Sequence, residues 1–100
     1  MYARVTTLSL KPGQLDTAFW KDYTTKGWLD LTKAQKKEGG KGGYLLVDRK
    51  ANKLVSISTW NTEADLKKSE KGHRERISTA DKAQLAGPIT TELYETVAQV

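Results

Sequence analysis

Two extended runs in the middle of the chain constrain the fold more than any other sequence feature. Residues 44–47 and Lys53–Trp60 are rich in aliphatic, β-branched and aromatic residues, and a polar stretch at 48–52 separates them. Runs with so short a connection predict an antiparallel β-hairpin. In the second run, Ser56 and Ser58 alternate with apolar residues, so the face that carries these hydroxyls is predicted to line either solvent or a polar pocket.

A helical pattern lies on each side of the hairpin. Between residues 14 and 37, apolar side chains recur every three or four positions, which predicts one long amphipathic helix, or two shorter ones if Gly27 breaks it. After the hairpin, Thr62 and Asp65 have the spacing at which a capping hydroxyl and an acidic side chain satisfy two free backbone amides. A second helix is predicted to follow, with Gly72 as the point where it can be interrupted.

Two more extended segments lie near the ends of the chain. Residues 2–10 and 89–100 are rich in β-branched and aromatic residues, and Lys11-Pro12-Gly13 ends the first of them. The resulting order of strand, helix, strand, strand, helix, strand predicts an α+β fold of the ferredoxin-like, split βαβ type. Two helices then cover one face of a four-stranded antiparallel sheet, and residues 1–100 form a single domain.

Composition excludes several kinds of site. The chain has no cysteine and one histidine, so no metal site, disulfide or thiolate chemistry is predicted. The glycine-rich run at 39–43 lacks the spacing of a phosphate-binding loop and is predicted to be a turn. The formal net charge is +5, but basic and acidic residues are interleaved as on solvated helix faces, so nucleic acid is not an expected partner.

Hydropathy and the N-terminal sequence indicate where in the cell the protein is expected. No apolar run approaches the length of a membrane span, and the first residues do not resemble a signal peptide. We therefore expect no membrane partner and a cytoplasmic location.

Short segments along the whole chain carry a family resemblance. They are Lys11-Pro12-Gly13, the glycine-rich run that ends in Tyr44, the strand that ends in Trp60, the helix start after it, and Leu93-Tyr94-Glu95. Their order and spacing resemble the antibiotic biosynthesis monooxygenase-like domains of the dimeric α+β barrel superfamily. The resemblance implies a homodimer in which two sheets pack into a barrel. It also implies oxidation of a quinol-like or polyketide-like substrate by molecular oxygen, with no metal, haem or flavin as cofactor.

His73 and Asn61 are the candidate catalytic residues. Histidine has an ordinary pKa between pH 5 and 8, so His73 is the first candidate for a general base, although a packed helix residue is the simpler interpretation. Asn61 follows the hairpin and supplies an amide that can donate to and accept from an oxygenated ligand, or else it caps the second helix.

Four aromatic residues are the candidate ligand-binding wall. Trp60 is predicted to lie at the edge of the cleft between sheet and helices, where an aromatic side chain suits a planar, oxygenated ligand. Trp20, Tyr23 and Trp28 on the first helix would complete the lining. The same residues are also typical of a hydrophobic core or of a dimer contact.

Haem degradation, known in the same superfamily, is disfavoured by the residues. The haem-degrading relatives use an Asn, a Trp and a His that converge on the porphyrin. Here Thr6 and Thr7 stand where the asparagine would be sought, and the second helix contains no tryptophan.

Three functions remain open at the level of sequence. The first is a cofactor-independent monooxygenase acting on a small aromatic, quinol-like or polyketide-like molecule. The alternative is a non-catalytic dimer that binds a small molecule or has a structural role. A sheet that stacks single-stranded RNA ranks last, because the glycine-aromatic RNP pattern is missing. A cavity where Asn61 and His73 converge would favour chemistry, whereas one filled by tryptophans would favour a structural role.

Overall fold

A four-stranded antiparallel sheet carries the fold in the computed structural model, which describes all 100 residues. The strands, in the spatial order β2-β3-β1-β4, are β1 (Tyr2–Ser9), β2 (Gly40–Asp48), β3 (Lys53–Trp60) and β4 (Thr90–Glu95). The helices are α1 (Ala18–Asp22), α2 (Trp28–Gln35) and α3 (Glu63–Ser78). A π-helical turn at Tyr23–Gly27 joins α1 to α2. The predicted α+β, ferredoxin-like arrangement is confirmed.

The central strand β1 divides its residues between the two faces of the sheet. Arg4 and Thr6 are 2% and 6% exposed and lie under the helices, while Val5 between them points to the other face. In the register with β3, Arg4 pairs with Ser58 and Thr6 pairs with Ser56. The hydroxyl-bearing face of β3 therefore lies on the covered side, next to the polar residues of β1.

The hydrophobic core is concentrated at one end of the covered face. Leu10, Leu15, Trp20 and Leu54 form one buried cluster. A fully buried Trp60 lies at the opposite end of β3. Between these two ends the covered face is polar, so apolar packing fixes the helices at both ends and leaves the middle of the sheet free to line a cavity.

The second predicted helix begins as the sequence indicates and ends at Ser78. Thr62 is the N-cap, and its Oγ1 accepts a hydrogen bond from the backbone N–H of Asp65 at 3.1 Å. The helix is not interrupted at Gly72, where the sequence marks a break point. A glycine inside a helix costs only about 1 kcal/mol relative to alanine, and Leu66, which is 2% exposed, anchors α3 to the sheet before that point.

Of the two alternatives for the first helix, the structure shows the continuous one, with an irregular turn before Trp28. The chain is not broken at Gly27, and instead the helix continues through the π-helical turn, in which the N–H of Trp28 bonds to the carbonyl of Tyr23. A β-carbon at position 27 would lie 3.5 Å from the Tyr23 ring, an ordinary van der Waals distance. The surroundings therefore leave room for a larger residue than glycine.

The glycine-rich run and the end of the last strand correct two further predictions. Gly40 to Gly43 begin strand β2, with a bulge between Gly40 and Gly42, and do not form a turn. A β-carbon at Gly43 would collide with the carbonyl oxygen of Ile57, so the close approach of β2 to β3 requires glycine there. Strand β4 ends at Glu95 rather than at residue 100, because Glu95 pairs with Tyr2, the first residue of β1.

None of the helices combines the length and the apolar character that a membrane span needs.

Candidate functional site

A cavity of about 380 Å³ lies between the covered face of the sheet and the helices. Strands β1 and β3 form its floor, α1 and α2 form one wall, and the end of α3 with the segment that follows forms the other. Phe19 is among its lining residues and is 61% exposed, so the cavity is open to solvent. Its volume lies within the range of small-molecule sites.

The floor of the cavity is polar. Arg4, Thr6, Ser56 and Ser58 form two adjacent cross-strand pairs, and all four side chains line the cavity. A sheet face beneath helices is ordinarily apolar, because its burial is what stabilises the fold. Polar residues at these positions give the cavity floor hydrogen-bonding groups that an apolar sheet face would lack.

The wall formed by the first helical segment is aromatic, and the π-helical turn determines its shape. Trp20 and Trp28 are eight residues apart, which in a regular α-helix would place them about 80° apart around the axis. The π-helical turn between them takes up one extra residue, so both lie on the face that lines the cavity together with Tyr23. The Trp20 and Tyr23 rings pack edge to face with centroids 5.5 Å apart.

Hydrogen bonds from the indoles fix these rings against the polar parts of the cavity. Trp28 Nε1 donates to Ser56 Oγ at 2.9 Å, and Trp20 Nε1 donates to Gln84 Oε1 at 3.1 Å. The buried Trp60 Nε1 donates to the floor hydroxyl of Ser58 at 3.2 Å. Since each serine oxygen accepts an indole N–H, its own hydroxyl hydrogen is free to donate to a ligand.

His73 extends from α3 to the edge of the floor. Its Nε2 lies 3.4 Å from Thr6 Oγ1 and 3.1 Å from Thr91 Oγ1. Burial lowers the pKa of His73 to about 4, and the positive charges of Arg4 and then Arg76 act in the same direction. The imidazole is therefore neutral at pH 7 and has one ring nitrogen able to accept a proton.

Arg4 is the most deeply buried charged residue of the site. Its Nη2 donates to the Leu66 carbonyl at 3.3 Å and to Ser69 Oγ, and the guanidinium carbon lies 5.7 Å from the centre of the Trp60 ring. Burial lowers the pKa of Arg4 from its ordinary value, while the charge of Glu70 opposes that shift. Arginine nevertheless remains charged in proteins, so the floor carries a positive charge.

Four of the six residues singled out in the sequence line this cavity, namely His73, Trp20, Tyr23 and Trp28. Burial raises the pKa of Tyr23, so its phenol is neutral and can donate a hydrogen bond.

The other two residues lie elsewhere, and the prediction that Asn61, His73 and Trp60 share a cavity is wrong. Asn61 is exposed and does not line the cavity, because β3 ends before it and its backbone N–H bonds to the Gly39 carbonyl at the far edge of the sheet. Trp60 is fully buried beside Arg4 and packs as a core residue.

Sequence reasoning missed the residues of the floor and the second arginine. Arg4, Thr6 and Arg76 were not singled out, and the serines of β3 were recognised only as an ambiguous polar face. One signal was present: Arg4 and Thr6 share the strand face of Leu8, where a charged residue is unusual unless it has a partner.

The titratable side chains of the structure do not assemble into a metal site. No group of three or more His, Cys, Asp or Glu side chains is placed to hold a metal ion.

Comparison with known proteins relates the fold to solved structures. No protein-family model matches the chain, and no curated protein is significantly similar to it in sequence. A crystal structure of an antibiotic biosynthesis monooxygenase is similar over 98% of this chain and all of its own, with a TM-score of 0.65 and 21% identity. A protein of unknown function from Nitrosomonas europaea gives a TM-score of 0.74 at 20% identity, over 99% of this chain and 91% of the other.

A third solved structure holds a large planar ligand. It is a mutant of MhuD with two manganese protoporphyrin IX molecules bound in each active site, with a TM-score of 0.64 and 12% identity, over 100% of this chain and 98% of its own. At these identities the comparisons establish the fold, which is that of the antibiotic biosynthesis monooxygenase-like domains, as the resemblance implied.

Proposed function

We propose that the cavity binds a small planar, oxygenated aromatic molecule of quinol-like or polyketide-like type and that the protein oxidises it with molecular oxygen and no cofactor. One observation carries the proposal: hydrogen-bond donors on the sheet face aromatic rings across a cavity of about 380 Å³. Rings suit the flat apolar part of such a ligand, and the donors suit its oxygens. The solved structure named as an antibiotic biosynthesis monooxygenase shares this fold, which supports the same reaction class.

The proposed reaction needs only the substrate and oxygen. A phenolic hydroxyl loses its proton, and the resulting anion gives two electrons to oxygen, which forms a carbon–oxygen bond at a ring carbon that bears hydrogen. That carbon then loses its hydrogen as a proton, the oxygen–oxygen bond breaks, and water leaves. The product is a quinone that keeps one oxygen atom of the oxygen molecule.

The protein contributes position and polarity to this reaction. Hydroxyl groups of Thr6, Ser56 and Ser58 stabilise charge that develops on the substrate oxygen. His73 accepts the phenolic proton, and its neutral state at pH 7 leaves it free to do so. An anion formed beside the imidazole raises the pKa of His73 from its low value in the empty cavity, so proton transfer and charge development support each other.

A homodimer is part of the proposal. On the face of the sheet opposite the helices, Tyr44 is 69% exposed and lies in one cross-strand row with Ile57 and Val5. Leu46 is 50% exposed and lies in the next row of the same face, opposite Val55. An apolar sheet face of this kind is usually covered by another surface. A second copy of the chain, with its own open face, provides the matching surface.

A binding role without catalysis is the second candidate. It is supported by the low pKa of His73, which makes the imidazole a weak base, and by the two threonine hydroxyls within reach of its Nε2. A purely structural role has less support, because Trp20 and Trp28 line the cavity without filling it.

The first test is oxygen consumption with a panel of dihydroxynaphthalenes. We expect His73→Ala to reduce turnover by about 100-fold or more, the usual contribution of a positioned base. Lys71→Ala, at an exposed position of the same helix, is the matched control and should turn over like the unmodified protein. Turnover that survives His73→Ala would refute the base assignment. Binding of the panel without turnover by the unmodified protein would favour the second candidate.

A further inference from the structure

Arg4 is a buried cation that no carboxylate neutralises. Its side chain is 2% exposed, and the ion pairs of the protein, Lys67–Glu63 and Arg74–Glu70, lie elsewhere on α3. Both hydrogen bonds of the guanidinium come from Nη2. Nε is fully buried with no partner, and Nη1 has no partner but is not fully buried. Arg4 lines the cavity, and the hydrogens of Nη1 are those left to donate to a molecule bound there.

The contacts within the protein offset only part of the cost of burying the Arg4 charge. The Trp60 ring and the more distant charge of Glu70 favour the cation, but Glu70 is paired with Arg74 at 3.8 Å. Burying an ionised group without a counter-charge is strongly unfavourable. A residue held in this state beside a cavity indicates that the missing counter-charge belongs to a ligand.

The other groups of the cavity also fit a negative charge. The serine hydroxyls of the floor are free to donate, and Arg76 adds a second positive charge. Asp81 supplies the only carboxylate among the lining residues, and it accepts a hydrogen bond from the backbone N–H of Ala83 at 2.9 Å. That carboxylate is occupied in capping a short helical turn and does not face Arg4 as a partner.

We propose that the cavity binds its ligand as an organic anion: a planar aromatic acid whose carboxylate or phenolate oxygen lies over Arg4 and Ser58, with its rings beside Trp20 and Trp28. This inference rests on the proposed function, because it names the charge of the molecule that the same cavity binds. It assigns Arg4 as the residue that selects charged over neutral aromatic ligands.

Matched naphthalene ligands test the inference. Naphthoate and its neutral amide have nearly the same shape, and binding is followed by the fluorescence of Trp20 and Trp28. We expect naphthoate to bind at least about tenfold more tightly than the amide, since hydrogen bonds to charged groups exceed neutral ones by this order. A nitrophenol, whose bound phenolate is visible by absorbance, forms the second arm and distinguishes a phenolate site from a carboxylate site.

Substitution of Arg4 tests whether this residue causes the preference for naphthoate over the neutral amide. Arg4→Met should weaken naphthoate binding by about 10- to 100-fold and leave binding of the amide nearly unchanged. Arg49→Met removes an exposed arginine from the connection between β2 and β3 and should leave both affinities unchanged. If Arg4→Met does not fold, Thr6→Val keeps the shape of the floor and removes one donor, and it should weaken naphthoate binding alone, by about fivefold.

The outcomes separate this inference from the proposed function. Equal affinity for naphthoate and the amide would overturn the anion inference and leave the cavity as a site for neutral aromatics. Loss of both ligands in a folded Arg4→Met protein would make Arg4 a structural residue and would also overturn it. Failure of all the aromatic probes to bind the unmodified protein would overturn the proposed function together with the inference that rests on it.

Discussion

In the middle of the sheet, the covered face is polar and the open face carries apolar side chains, which is the reverse of the usual arrangement. On the covered face, the centre of β1 presents Arg4 and Thr6, both nearly inaccessible to solvent. On the open face, Val5 and Ile57 pair across the sheet, next to a Tyr44 side chain that is 69% exposed. Antiparallel sheets with one covered face normally place apolar residues under the helices and polar residues in water.

On the covered face, the residues that stabilise the fold and the residues that line the cavity therefore lie in different places. The covered face keeps apolar packing only at its ends, around Leu54 and Trp60, which are both 0% exposed. Its polar middle gives up apolar burial, and the cavity lies at that point. The apolar residues on the open face would be unfavourable in water. Under the proposed function, the covered face binds the ligand and the open face packs against a second copy.

The largest expected effect comes from a charge at the centre of the open face. Ile57→Lys should reduce dimer affinity by about 100-fold or more, because an ammonium would be buried at the centre of the interface. The carboxylate in its cross-strand row, Glu92, lies two strands away. Light scattering at micromolar concentration should then report one chain where the unmodified protein reports two.

The control for this experiment is Leu29→Lys, which introduces the same charge at a residue of α2 that is 47% exposed. It should leave the mass unchanged. A well-folded unmodified protein with the mass of one chain would contradict the assignment of the open face to a second copy.

Single-residue deletions test whether the π-helical turn places Trp28 of the aromatic wall over the polar floor. Deleting Thr25 from the π-helical turn should convert it to regular α-helix and leave Trp28 facing Ser56, because the turn holds one residue more than an α-helix needs. Deleting Asp30 instead should rotate Leu31 and the rest of α2 by about 100°.

We expect the Asp30 deletion to lower the free energy of unfolding by about 1–3 kcal/mol, because the partly buried Leu31 and the buried Thr32 both leave the cavity wall. The Thr25 deletion should cost much less. Urea denaturation measures both, and equal losses for the two deletions would show that the π-helical turn does not set the position of the wall.

The smallest predicted effect is a pH dependence of stability that arises on the covered face. The pKa of His73 is lowered from 6.5 to about 4 in the folded chain, by burial and by Arg4 and Arg76. Between these values the unfolded chain binds more protons, so the free energy of unfolding falls as pH drops from 6.5 toward 4, and the contribution is complete above 6.5.

His73→Gln should remove this part of the pH dependence, which amounts to about 1 kcal/mol after solvent screening of a half-exposed ring. Chemical denaturation at several pH values measures it. An identical pH dependence for the unmodified protein and His73→Gln would indicate that the imidazole is not desolvated.

The fold could be predicted from sequence because its signals are local. The alternation in β3, the capping pair Thr62 and Asp65, and the three- and four-residue spacing before the hairpin each depend on nearby residues only. The alternatives that the sequence leaves open also have local causes. A glycine is compatible with both a break and a continuing helix, so the sequence around Gly27 and Gly72 does not decide between them.

The site was less predictable because it depends on register. Arg4 and Ser58 are 54 positions apart and become neighbours only through the pairing of β1 with β3. Asn61 follows Trp60 directly in sequence, yet the end of β3 places it on the exposed edge, away from the cavity. Chemical character identified His73 correctly as a cavity residue, but nothing in a single strand shows which of its faces will be covered.

One NMR experiment on methyl groups tests the reversed sheet most directly. The methyls of Leu31 and Ile77 line the cavity, whereas those of Val5, Ile57 and Leu46 belong to the open face. Addition of naphthoate should shift the first group, and dilution of the protein should shift the second. A ligand that shifts the open-face methyls and leaves Leu31 and Ile77 unchanged would contradict the assignment of the two faces.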